Sequence, residues 1–140
     1  MDKNALTVLQ TDIQAQMNRI DKIFAKLEER AIGLTPDEPV IMESVAYQIH
    51  NLYNAVEDLL KIVAAHFENQ ITEGIRPRLL SESSYLNLNN MRGFRHFFRH
   101  AYGGNIDYDQ WAMNLDKARL LRPSLTQDVE NFLKQVAEIE

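Results

Sequence analysis

Met91-Arg92-Gly93-Phe94-Arg95-His96-Phe97-Phe98-Arg99-His100-Ala101-Tyr102 holds three arginines and two histidines within nine positions, interleaved with apolar residues. Plotted at about 100° per residue, Arg92, Arg95, His96, Arg99, His100 and Tyr102 fall within an arc of roughly 160°, with Met91, Phe94, Phe97, Phe98 and Ala101 on the opposite side. The stretch therefore reads as an amphipathic helix with an aromatic face for the core and a face of cations, imidazoles and a phenol for chemistry. The bland explanation is a solvated basic face on an ordinary bundle helix. Against it stands the concentration of histidine, because two of the four histidines in the chain lie on this one face.

Working outward, the rest of the chain is helical by period. Leu6, Leu9, Ile13, Met17, Ile20, Phe24 and Leu27 recur every three or four residues and predict a helix over about 3–31, which Gly33 ends. Thr35-Pro36-Asp37-Glu38 supplies an N-cap, a proline suited to the first helical position and a capping box. Ile41, Val45, Ile49, Leu52, Val56, Leu59, Val63 and Phe67 then carry a second helix to about residue 69. Residues 70–90, with Gly74, Pro77 and Ser81 to Ser84, read as a loop or short helical pieces. The motif helix follows, and Gly103-Gly104 stops it. Trp111, Leu115 and Ala118 stripe the next helix, capped from Asp107-Tyr108-Asp109-Gln110. Pro123 is expected to break that helix, and Ser124-Leu125-Thr126-Gln127 to open a last one with Val129, Phe132, Leu133 and Val136 inward. No strand pattern, repeat or low-complexity tract appears. The expected architecture is all-α, an up-and-down helical bundle forming a single domain over residues 1–140.

Composition narrows the function classes. The chain has 140 residues, 45% hydrophobic and 25% charged, and a net charge of −5. That length buries roughly 68% of the extended chain's surface, enough for one core without staples. The absence of cysteine excludes a disulfide framework and any cysteine nucleophile or zinc ligand. With no apolar run near 18 residues and no basic-then-apolar leader, the expectation is a cytoplasmic protein with no membrane span. A general nucleic-acid coat is disfavoured by the acidic balance. Between Arg76 and Tyr102, however, five arginines meet one glutamate, a local +4, and the remainder carries −9. A cationic site in an acidic body favours a focused RNA contact.

Read from Arg95, the segment is R-x-x-x-x-H-x-Y, filled by Arg95, His100 and Tyr102. This resembles the signature of the HEPN superfamily, and the wording FRHFFRHAYG, from Phe94 to Gly103, resembles its HepT branch. Tyr53-Asn54-Ala55-Val56-Glu57-Asp58-Leu59-Leu60 also resembles the second long helix of that family. In the family a polar residue, often Asn or Asp, follows the arginine, and His96 stands there in this chain. The resemblance implies a HEPN-like bundle, a homodimer with a composite site, and a ribonuclease toxin of a HEPN–MNT toxin–antitoxin pair. It further implies a partner, the minimal nucleotidyltransferase antitoxin MntA, which would neutralise the toxin by AMPylation, placing AMP on Tyr102.

The residue chemistry is compatible with a metal-independent endoribonuclease acting on cellular RNA, tRNA or mRNA, without a cofactor. RNA carries its own nucleophile, the 2′-hydroxyl, so the protein need only move protons and stabilise charge on the phosphorane. An imidazole suits the first task and a guanidinium the second. Through the family motif His100 takes proton transfer and Arg95 the phosphate, with Arg92, His96 and Arg99 as supporting phosphate or RNA contacts. Arg95 and His100 stand roughly 140° apart around the helix axis, so two copies of the helix across a two-fold axis would line one cleft better than one copy does. Gly93 in a helix costs about 1 kcal/mol relative to alanine and marks a close approach, whether of a neighbouring helix, a second copy or RNA.

Competing readings remain beside this one. His96 and His100 at i and i+4 can chelate zinc, with a third ligand sought among Glu57, Asp58, His50 and His66, though three nearby arginines repel a dication. His50 and His66 otherwise read as structural histidines, and Glu57 as solvated or paired with a motif arginine. Tyr85, Tyr108 and Trp111 read as core or edge aromatics, Tyr85 also as a base-stacking residue in the 70–90 segment. Tyr102 in the bland reading packs at a helix end. The alternative function is a non-catalytic HEPN partner module that binds a nucleotidyltransferase or a nucleotide. A plain oligomerisation helix, from the near-heptad spacing of Leu6, Ile13, Ile20 and Leu27, ranks below both.

Overall fold

The computed structural model describes residues 3–35, 37–68, 78–100 and 108–138, excepting the side chains of residues 68, 93–100, 110 and 111. These form four helices, α1 (Lys3–Ala31), α2 (Pro39–Glu68), α3 (Glu82–His100) and α4 (Tyr108–Glu138), with no strand among the described residues. The fold is an all-α helical bundle. Consecutive helices pair, α1 on α2 and α3 on α4, while α2 also touches α3 and α4, and α1 touches α4.

α1 has the limits its periodicity predicts, and its stripe of Leu9, Ile13, Met17, Ile20, Phe24 and Leu27 is buried. Gln16 interrupts the stripe. Its buried amide donates to the Ala55 carbonyl at 2.7 Å, so the polar group is satisfied across the α1–α2 seam. On α2 the expected series is buried from Val45 to Val63, joined by Met42, Ala46, Tyr53 and Ala55. That wider arc follows from its position, since α2 packs against all three other helices.

Three boundaries differ from the sequence reading. α2 opens at Pro39 instead of directly after the Thr35 cap, with a Glu38 N–Thr35 O bond of 3.3 Å closing a turn before it. The residue preceding a proline is held out of the α region, so Glu38 cannot be helical and Pro39 takes the first helical position. α3 opens at Glu82, inside the segment expected to be irregular. α4 runs unbroken through Pro123 to Glu138, where two helices were expected. Pro123 and Arg119 are both exposed. The proline thus sits on the solvent side of the helix, where water can serve the carbonyl that loses its helical donor and lower the penalty of a proline in a helix interior. Leu121, Leu125 and Val129, buried on either side of it, keep the helix on the core.

The two hairpins are tied by named contacts. Arg119 Nε and Nη2 donate to the two Glu28 oxygens at 2.7 and 3.0 Å, a bidentate pair from α4 to α1. The hydrogen bond from Arg119 holds the Glu28 carboxyl below its ordinary range. One turn on, the Arg122 guanidinium lies 5.3 Å from the centre of the Phe24 ring. Phe67 of α2 meets Phe132 of α4 edge to face, with centroids 6.1 Å apart. No helix among the described residues is long and apolar enough to cross a membrane.

Candidate functional site

The motif rides on α3, so what fixes α3 fixes the site. Ser81 caps it: its hydroxyl accepts from the Ser84 amide at 3.2 Å, and its carbonyl accepts from the Tyr85 amide at 2.9 Å. Asp128 of α4 reaches across to this end and accepts from the Ser81 amide at 2.9 Å and its hydroxyl at 3.1 Å. A carboxylate at a helix N-terminus also meets the positive end of the helix dipole. The Ser84 hydroxyl, fully buried, contacts the Ser124 hydroxyl of α4. The serines that read as loop punctuation are thus the cap and the first interhelical contacts of the motif helix.

Below the cap Ser84, Asn87, Leu88 and Met91 form the buried stripe. Met91 is buried and Arg92 exposed, as the two-faced reading of the stretch requires. The backbone of α3 is helical through His100. By helical register Arg95 stands one turn beyond Met91 and His100 roughly 140° around from Arg95. The side chains of Arg95, His96, Arg99 and His100 lie outside the described residues, as does Tyr102.

Beside the start of α3, α2 and residues 78–80 enclose a cavity of about 530 Å³. Leu60, Val63, Leu79 and Leu80 give it an apolar wall, and Glu57, Arg78 and Tyr85 bring polar groups to it. Tyr85 is on α3 and half exposed, not in a loop. Glu57 is engaged in an interaction, so it is not simply a solvated acid. The other candidate ligands have local partners: His66 Nε2 lies 2.8 Å from Asp12 Oδ2, and His50 Nε2 lies 3.1 Å from Asn54 Nδ2. Asp58 sits 3.5 Å from Arg19. Among the described residues no group of three His, Asp or Glu side chains is placed to hold a metal ion.

Residues 70–136, which contain all of α3 and nearly all of α4, match the model of a family described as HepT-like protein. Over this stretch the chain is similar to HepT-like proteins. The match encloses Arg95, His100 and Tyr102 and leaves the α1–α2 hairpin outside it. No curated protein and no solved structure matches the chain. What periodicity did not find in the HepT-like segment is the Asp128–Ser81 anchor, whose signal, a serine three residues before a second buried serine, is indistinguishable in sequence from a turn.

Proposed function

We propose that this chain is a metal-independent endoribonuclease, the toxin of a toxin–antitoxin pair, working as a homodimer of a single 140-residue domain. The observation that carries the reading is the HepT-like match across a continuous helix on which Arg95 and His100 keep the family spacing. In the reaction the 2′-oxygen of a ribose attacks the adjacent phosphorus, and the bond to the 5′-oxygen of the next nucleotide breaks. The His100 imidazole handles the proton leaving the 2′-hydroxyl or arriving at the 5′-oxygen, and Arg95 offsets the added charge on the phosphorane. Arg92, His96 and Arg99 hold flanking phosphates. The wide angle between Arg95 and His100 supports a cleft completed by the second copy. The cavity at Tyr85, with its apolar wall, suits a base unstacked from the strand.

Tyr102, seven residues and nearly two turns from Arg95, is the proposed acceptor of AMP from an MntA-type nucleotidyltransferase. The added phosphodiester is anionic, can pair with a motif arginine, and puts bulk where an RNA phosphate would sit.

Incubation of the purified protein with total RNA, with and without EDTA, tests the reading. Cleavage is expected to survive the chelator and to fall roughly 10²-fold or more in His100→Ala and in Arg95→Ala with the fold intact. Activity restored only by added divalent metal would overturn the mechanism. Intact RNA under every condition, with retained nucleotidyltransferase binding, would favour the non-catalytic partner module.

A further inference from the structure

A groove of about 290 Å³ runs between α1 and the first half of α2. Arg19, Lys22 and Lys26 line it from α1, and Gln48 and Asn51 from α2. At about 100° per residue, these three cations and Arg30 fall within some 80° of one another along three turns. Like charges at this spacing repel and destabilise a helix. In a chain of net charge −5 such a row opposes the overall balance. Asp58 partly offsets Arg19 from 3.5 Å, whereas Lys22 and Lys26 have no acidic partner among the described residues.

Gln48 supplies the second observation. It is 7% exposed, and its Oε1 is buried with no hydrogen-bond partner among the described residues. A buried acceptor left unpaired is costly. Gln48 lines the groove and its terminal amide torsion is soft, so a donor bound in the groove is the partner this side chain can turn to meet. The groove therefore suits a ligand that is anionic along its length and brings a hydrogen-bond donor of its own. An RNA strand, the substrate proposed for the motif helix, has both in its phosphates and 2′-hydroxyls, and DNA lacks the 2′-hydroxyl.

We infer that the α1/α2 groove is a second contact for single-stranded RNA, with Lys22 and Lys26 on phosphates and Gln48 accepting from a ribose 2′-hydroxyl. The inference rests on RNA being the substrate. It adds a site on the hairpin that lies outside the HepT-like match, with its cations on α1, which does not touch α3 among the described residues. Its role is to hold the strand, leaving the bond-breaking step to the motif helix.

Fluorescence anisotropy with a labelled single-stranded RNA, and with DNA of the same sequence, tests this on a His100→Ala background so that the strand stays whole. Lys22→Ala/Lys26→Ala is expected to weaken RNA binding about tenfold and to lower the slope of log K against log salt by about 1.4, the release expected for two phosphates of a single strand. Gln48→Leu should weaken RNA and leave DNA unchanged. Both lysines are exposed, so the double variant should keep the parent's circular dichroism spectrum. With His100 restored, the double variant should raise KM for long RNA at unchanged kcat. Unchanged affinity and salt slope in the double variant would overturn the inference. So would competition by polyglutamate as effective as by RNA, which would mark a protein-docking surface, or competition by AMP alone, which would mark a mononucleotide pocket. If the parent cuts no RNA but the double variant still loses RNA binding, the nuclease reading fails and the groove stands.

Discussion

Replacing Asp128 with alanine removes the anchor by which α4 holds the start of the motif helix, and the cost can be worked from the contacts. Asp128 is 8% exposed, and its carboxylate accepts two hydrogen bonds from Ser81, at 2.9 and 3.1 Å. Bonds to a charged acceptor contribute about 1.5–3 kcal/mol each. Ser81 itself is exposed, so its freed donors return to water and the pair is worth nearer one such bond than two. The charge at the helix N-terminus adds about 0.3–1 kcal/mol. Asp128→Ala is therefore expected to cost about 2–3 kcal/mol. Asp128→Asn, which keeps one acceptor and loses the charge, should cost about half of that. Ser81→Ala removes the cap, about 1 kcal/mol, and one of the two bonds to Asp128. Because the two residues share that bond, the double variant should lose less than the sum of the singles, by about 0.5–1.5 kcal/mol. Urea unfolding followed by far-ultraviolet circular dichroism measures all four, with the midpoint moving and the slope unchanged. A loss below about 0.5 kcal/mol in Asp128→Ala, or strict additivity in the cycle, would refute the reasoning.

Two other predictions concern the bundle. Glu28 titrates below its ordinary value because Arg119 donates to it. The unfolded chain therefore binds its proton first as pH falls, and the stability from this pair is fully present above the ordinary glutamate value of 4.5 and is lost through the lower, folded-state pKa. Both side chains are 45% exposed, so the contribution is held to about 0.5 kcal/mol or less. Glu28→Gln should flatten the acid limb of a stability–pH curve by that amount, and an unaltered limb would count against the pair. Pro123→Ala restores a donor to the Arg119 carbonyl and should stabilise α4 by about 1 kcal/mol, a fraction of the roughly 3 kcal/mol a proline costs inside an isolated helix. A lowered denaturation midpoint would show that the proline is fitted to the helix.

Where a helix is amphipathic by simple burial, the sequence was legible: α1 begins and ends where the period of Leu6 to Leu27 predicts. The misread boundaries share a physical cause. At the start of α3 the buried stripe includes Ser84 and Asn87, so polar residues occupy core positions and the apolar period vanishes from view. Pro123 was read by its intrinsic cost, yet the cost depends on whether the orphaned carbonyl meets water, which only the three-dimensional position decides. By sequence α2 starts at Pro36, directly after the Thr35 cap, and the restriction on the residue before a proline, applied to Glu38, moves that start to Pro39. The motif itself was legible as residue types and spacing. The cap and the carboxylate from α4 that position it were not, because Ser81 and Asp128 are separated by 47 positions and no local pattern links them.

The pairing of neighbours, α1 with α2 and α3 with α4, gives the bundle two leaves, joined by the Glu28–Arg119 pair, the Phe24–Arg122 stack, the Phe67–Phe132 contact and the flank of α2. Within a leaf the contacts join helices that are consecutive in the chain, a topology that favours rapid closure of each hairpin. Hydrogen exchange should accordingly report two cooperative units, with the amides of the α1–α2 seam and those of the α3–α4 seam opening at different free energies. A mutation on one leaf then changes the lifetime of that leaf first, and reaches the other through the core that α2 shares with α3 and α4.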